Sequence, residues 1–244
     1  MRQIKSLGKD ILFYGLGNFL YSLTQLICMP LIIQEMSMDE VANWNILLPV
    51  GILLSAMMTF GMDSAIPRFV VDKQETEKKT VFSTGFYFVM ALAITLSLSL
   101  GSLATQTAGL FNISTTYLAS YWILIGWLPG VIFSQYFQKW VQYTFQRNKF
   151  LGVIALQSAI YLTIILYLKF SSQVNLYNVM LASLASTWIP GFLGFYFSYN
   201  MITFKFDRSL LIKLIIYGGP FMILAFGFNL IFSFDKFILS RNVT

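Results

Sequence analysis

Long uninterrupted runs of apolar residues, separated by short clusters of charge, dominate the chain. The first extends from Ile11 to Ile33 and the second from Val41 to Met62, each without an ionised side chain. Between Lys79 and Lys139 nothing is ionised, which is room for two spans with a turn near Gly101 to Thr116. Leu151 to Leu168, the uncharged run from Phe170 to Phe204, and Leu214 to Phe234 complete the series. A helix needs roughly 20 mainly apolar residues to cross the hydrocarbon core of a bilayer, so the pattern predicts seven transmembrane helices. A β-barrel also satisfies its backbone in lipid, but its strands are about ten residues long and alternate strictly, unlike these continuous runs. The predicted fold is an all-α integral membrane protein, a polytopic helix bundle. The first run is longer than the apolar part of a signal peptide and no small-residue cleavage site follows it, so it is expected to stay as the first helix.

Composition agrees with lipid as the main solvent. Hydrophobic residues make up 57% of the 244 and charged ones only 11%, with a mean hydropathy of +0.70, where a soluble domain carries about 25% charged residues.

A net charge of +6 raises the question of a nucleic-acid partner, and the positions of the bases answer it. Arg2, Lys5 and Lys9 precede the first span; Arg68, Lys73, Lys78 and Lys79 follow the second. Lys139, Arg147 and Lys149 follow the fourth, and Lys205, Arg208 and Lys213 follow the sixth. Only Lys169, Lys236 and Arg241 remain for the other side. The bases therefore mark topology and contact with membrane lipids, not nucleic acid, and the positive-inside rule puts the amino terminus in the cytoplasm.

Candidate chemistry is sparse. With Cys28 alone and no His, internal disulfides, His-based metal sites and His-dependent catalysis are excluded. No GxxxxGK[ST] motif offers ATP hydrolysis. No catalytic residue, metal or cofactor is expected, and the chain is not read as an enzyme. Polar side chains inside the spans are more informative, because in lipid they are costly unless they face protein or water. Tyr14, Asn18, Tyr21 or Ser22, and Gln25 recur at three- and four-residue spacing on one face of the first helix. Asn229, Ser233 and Lys236 do the same on the seventh, with Asp235 beside them. Such faces line a water-filled cavity or hydrogen-bond neighbouring helices, and Asp235 with Lys236 is either functional or an interfacial anchor. Pro30, Pro49, Pro129 and Pro190 interrupt spans, and Gly126 with Gly130 forms a GxxxG that permits close helix approach. The five Trp residues are expected mostly at the membrane interface or on lipid-facing surfaces, while a sugar-binding cavity would also use Trp and Tyr faces.

The first and seventh spans also resemble each other. Aligning Tyr14-Gly15 with Tyr217-Gly218 sets ILFYGLGNF against LIIYGGPFM, each after a basic cluster and each crossing in the same direction. A parallel repeat of six helices produces that arrangement, and the chain then ends one helix into a second half of a protein of about twelve.

Four segments carry a further resemblance: YGLGNFLYSLTQLICMPLII, SMDEVANWN, FGMDSAIPRFV and YGGPFMILAFGFNLIFSFDKFIL. With them the chain resembles the polysaccharide (O-antigen type) flippases of the multidrug/oligosaccharidyl-lipid/polysaccharide exporter superfamily. It departs where members often have Tyr-Gly after the acidic pair of the outer turn and this chain has Val41-Ala42. The resemblance implies a six-helix lobe over residues 1–204, and a cytoplasmic linker with the first helix of a second lobe over 205–244. It implies a multi-pass transporter of a bacterial inner membrane that moves undecaprenyl-diphosphate-linked oligosaccharide outward by alternating access, for lipopolysaccharide or another surface polysaccharide. A coupling ion, H+ or Na+, and other polysaccharide-assembly proteins are the remaining partners. Tyr14, Asn18, Gln25, Asn229, Asp235 and Lys236 are then candidates for the substrate cavity, and Asp63 and Arg68 for a cytoplasmic gate. Three alternatives stand beside this, one of them a non-transporting assembly or scaffold subunit. A multidrug or cation antiporter of the same superfamily needs a buried acidic residue that none of the first six spans has in mid-span. A membrane glycosyltransferase needs carboxylates such as Glu35, Asp39 and Glu40 to act from a very short outer loop.

Overall fold

The computed structural model describes residues 2–71, 73–111 and 113–242, with side chains for 13–71, 73–111, 113–231 and 233. Among them are helices α1 (Arg2–Ile33), α2 (Met38–Thr59), α3 (Met62–Val70), α4 (Glu75–Ser102) and α5 (Ala104–Leu110). These are followed by α6 (Leu118–Tyr143), α7 (Arg147–Phe170), α8 (Leu176–Ser198) and α9 (Arg208–Asn242). Seven helical segments among the described residues are long and apolar enough to cross a membrane, in agreement with the hydropathy pattern. The protein is an all-α, multi-pass membrane protein.

The elements differ in detail from the sequence expectation, each time for a local reason. The second span runs on from Met38 to Val70 instead of stopping at Met62. It is broken only at Phe60 and Gly61, whose left-handed φ values of 50° and 64° end α2 and restart the chain as α3. Its start is fixed by a capping box: Glu40 Nα donates to Ser37 Oγ at 3.3 Å, and Glu40 Oε2 accepts from Ser37 N at 3.0 Å. The turn between the third and fourth spans contains the short helix α5, and α6 carries Lys139 within its last turns. Pro30, Pro49, Pro129 and Pro190 all lie inside continuous helices.

Neighbouring helices follow the order α1, α7, α8, α6, α4, while α2 and α3 pack against α6, α4 and α9. The tightest seam is α6 against α8, and small residues create it. Trp188 sits directly over Gly130, where any side chain would collide with its indole ring, and Trp188 Nε1 donates to the Gly126 carbonyl at 3.2 Å. Gly191 and Gly194 of α8 reciprocate by admitting Phe133 and Phe137 of α6. The GxxxG pair thus sets the spacing of this seam. At the opposite end from the basic clusters, Glu40 Oε1 accepts from the Leu176 backbone N–H at 3.1 Å, tying the α1–α2 turn to the start of α8.

The segment between α8 and α9 is fastened along α4. Ser83 Oγ donates to the Met201 carbonyl at 3.1 Å and accepts from Thr203 N at 2.8 Å, and Thr84 Oγ1 accepts from Asp207 N at 3.2 Å. This delivers α9 onto α2 and α3, where Gly218 meets the Phe60–Gly61 break backbone to backbone. A Cβ at Gly218 would fall 2.7 Å from the Phe60 carbonyl oxygen.

Candidate functional site

Two adjoining cavities occupy the bundle. The larger, of about 410 Å³, lies inside the ring of α1, α2, α6, α7 and α8. Helix α1 contributes Asn18, Tyr21 and Gln25, the polar face visible in the sequence. Tyr14, the first member of that stripe, does not line either cavity. It packs edge-on against Phe150 of α7, with ring centroids 5.0 Å apart.

The other helices bring residues that sequence reading did not single out. From α6 come Trp127, Ser134, Gln135 and Gln138; from α7, Gln157 and Tyr161; from α8, Ser183, Ser186 and Thr187. Each set follows the same three- and four-residue spacing as the α1 stripe, so the same rule applied to every span finds them. They are held by bonds between and within helices: Gln138 Nε2 donates to Gln157 Oε1 of α7 and to Ser134 Oγ of its own helix, both at 3.0 Å, and Trp127 Nε1 donates to Thr187 Oγ1 of α8 at 2.9 Å. Trp44 of α2 completes the wall, 6% exposed, with an indole Nε1 that has no hydrogen-bond partner among the described residues. The expectation that tryptophans sit in interfacial or lipid-facing belts is corrected here. Trp44 and Trp140 are buried, while Trp127 and Trp188 each donate to an acceptor inside the bundle. Buried indole N–H groups usually find such a partner, and facing helices supply one to Trp127 and Trp188. Trp122, 49% exposed, alone fits the expectation.

No Asp, Glu, Lys or Arg lines the larger cavity among the described residues. Charge is confined to its neighbour, a cavity of about 240 Å³ between α2, α3, α4, α6 and α9 that shares Ile52, Ser55 and Gln135 with it. Here Asp63 of α3 and Lys139 of α6 share one wall system with Asn229 of α9. The ion pairs among described residues are Lys73–Glu77 and Lys78–Glu75, so Asp63 and Lys139 are not locked to each other. Tyr143 donates its hydroxyl to the Asp63 carbonyl, and Tyr136 to the Phe82 carbonyl at 2.6 Å, which ties α3 and α4 to α6. Asn229 donates to Ala225 within its own helix at 2.9 Å, leaving its amide oxygen toward other partners. Arg68, although on α3 with Asp63, lines neither cavity. Asp235 and Lys236 lie along α9, but their side chains are outside the described residues.

Among the described residues no group of His, Cys, Asp and Glu is arranged to hold a metal. Of the outer-loop acids, Glu40 already accepts from Ser37 and Leu176 with its two oxygens.

The architecture is a known one. The fold matches the crystal structure of a MATE protein in its bent conformation with a TM-score of 0.71 and 15% identity, over 89% of this chain and 52% of that one. The chain thus spans about half the length of that structure, and at this identity the likeness is one of fold. Over residues 7–243 it matches the family model for polysaccharide biosynthesis proteins, and it belongs to that family. No curated protein matches it.

Proposed function

We propose that the protein is a flippase that carries lipid-linked oligosaccharide, on an undecaprenyl-diphosphate-type carrier, from the cytoplasmic to the outer leaflet of a bacterial inner membrane. The observation that supports this most is the lining of the larger cavity. Polar side chains in lipid-embedded helices are expensive, and where they converge on a cavity they mark a substrate path. Amides and hydroxyls that both donate and accept, interleaved with Trp and Tyr faces, are the chemistry of a sugar site. An organic cation finds no carboxylate there among the described residues, which disfavours the multidrug reading. Membership of the polysaccharide biosynthesis family points the same way.

In this reading residues 1–204 form one six-helix lobe, and residues 205–244 form the linker and the first helix of a second. Alternating access arises from movement of the lobes about their contact, as in repeat-built transporters. The end that gathers the basic clusters faces the cytoplasm. The glycan occupies the neutral cavity, Lys139 at the adjoining mouth meets the diphosphate, and the polyprenyl tail stays in the bilayer. A gradient of H+ or Na+, or substrate flux, drives the cycle.

Deletion of the gene tests the reading. Surface glycan should be lost while its lipid-linked precursor accumulates on the cytoplasmic face. Intact glycan export together with raised drug sensitivity would sink it.

A further inference from the structure

Resting on that reading, we infer a restriction on the cargo: the sugars seated in the larger cavity are uncharged, and uronic acids or free amino sugars are refused there.

Among the described residues the lining carries no formal charge of either sign, and Asp63 and Lys139 line the adjoining cavity instead. The two cavities share Ile52, Ser55 and Gln135 in their walls, none of which supplies a counter-ion. A charged sugar entering the larger cavity therefore gives up hydration without gaining an opposite charge, a loss that protein interiors tolerate poorly.

Hydrogen-bond inventory sharpens the point. Part of the donor capacity is already used internally: Gln138 Nε2 serves Gln157 and Ser134, and Trp127 Nε1 serves Thr187. What is left is mixed. Trp44 Nε1 is a buried donor without a partner among the described residues, while Asn18 and Gln135 each present an amide with both a donor and an acceptor end. A sugar hydroxyl donates and accepts, so it satisfies both ends. A carboxylate only accepts and leaves the amide oxygens unpaired, and an ammonium only donates and leaves Trp44 unpaired. Neutral hydroxyl- and acetamido-bearing sugars are the ones that match the whole wall.

The test uses the complete gene product in lipid nanodiscs and the fluorescence of Trp44 and Trp127, which lie in the cavity wall. The probes are neutral di-N-acetylchitobiose and a hyaluronan disaccharide, which carries a glucuronate. The neutral disaccharide should quench with an affinity at least about tenfold tighter than the uronate. Its quench should disappear in a Trp44→Phe/Trp127→Phe variant. In Gln157→Arg, where a cation enters the wall and the Gln138 amide can turn its oxygen to meet it, the ranking should reverse. Equal or tighter binding of the uronate by the unmodified protein overturns the neutrality inference and leaves the glycan-transport reading standing. Binding of neither sugar overturns both. An unchanged ranking in a folded Gln157→Arg variant also overturns the inference, and if that variant does not fold, the comparison in the unmodified protein decides.

Discussion

The two cavities touch at Ile52, Ser55 and Gln135, and they are built on opposite principles. The larger is closed by α1, α2, α6, α7 and α8 and braced by neutral side chains bonded from α6 to α7 and α8. The smaller is closed by α9, holds an acid and a base that do not pair, and depends on one backbone crossing between glycines. The difference teaches where rigidity and movement belong. A wall of interlocked hydrogen bonds between facing helices resists rearrangement, because breaking any one leaves a polar group unpaired in lipid. In the smaller cavity Tyr136 and Tyr143 tie α3 and α4 to α6, while α9 rests on the break between α2 and α3 by a close backbone approach at Gly61 and Gly218. On the proposed reading, recognition belongs to the first and gating to the second.

That contrast is broken most severely at the crossing itself. Gly61 has φ 64° and no room for a Cβ against Gly218, so Gly61→Val combines backbone strain with overpacking. The expected cost is about 2–5 kcal/mol, and α9 should lose its seat on α3. Thermal unfolding in detergent, read by size-exclusion of the surviving monomer, checks it. Gly219→Ala is the matched control: nothing lies within 4 Å of its Cβ, and the better helix propensity of Ala should leave stability equal or raised by up to about 1 kcal/mol. Equal melting of Gly61→Val and the unmodified protein would show that the crossing carries no weight.

Next in size is the charged mouth. Lys139→Met removes the cation proposed to meet the diphosphate, and since charge-assisted hydrogen bonds contribute about 1.5–3 kcal/mol, transport should fall by about ten- to a hundredfold. Lys139 is exposed and unpaired with Asp63, so the fold should melt within about 0.5 kcal/mol of normal. Arg68→Met, on the same end but outside both cavities, should leave transport little changed. Precursor accumulation in complemented deletion cells separates the two. If both substitutions act alike, the basic end works as a diffuse field and Lys139 has no private role.

On the neutral side the effects are smaller. Thr187→Val strips the acceptor from Trp127 Nε1 and should cost about 1 kcal/mol of stability, with a several-fold loss of disaccharide binding. An unshifted binding curve would mean that the indole of Trp127 does not help to shape the seat.

How far these features could be read from the sequence follows from which forces are local. Lipid demands about twenty continuous apolar residues whatever the neighbours do, so the spans were legible. Their ends were less so: a charge suggests a boundary, yet Lys139 stays helical on α6, because a long aliphatic stem carries its ammonium to the edge. The Phe60–Gly61 break was hidden for the opposite reason, since a lone Gly in an apolar run does not announce a left-handed φ that Phe60 shares. The α1 part of the polar wall was legible by helical period, as Asn18 and Gln25 show. The Gln138–Gln157 bond and the displacement of Tyr14 onto Phe150 depend on which helix faces which, and no periodicity within one span contains that.

The smallest expected effect concerns how α9 is held at its start. Asp207 Oδ1 accepts from the backbone N–H groups of Ser209 at 2.9 Å and Leu210 at 3.1 Å, capping the helix that closes the charged cavity. These bonds, that from Leu210 foremost, hold the Asp207 carboxyl below its ordinary value, with Lys213 adding to the effect. A carboxylate whose pKa is lowered on folding stabilises the native state above the unfolded value and ceases to do so as pH falls through the native one. The melting temperature should therefore be lower in Asp207→Ala than in the unmodified protein at neutral pH. The gap should narrow only below about pH 4, where the unfolded carboxyl begins to take up its proton. Because the group is solvent-exposed, screening keeps the difference small, and other carboxylates cancel between the two proteins. A gap that stays constant down to strongly acid pH would show that the cap acts through the shape of the turn and not through its charge. The hold on α9 would then rest on the bonds from Ser83, Tyr87 and Thr84 of α4 to the linker.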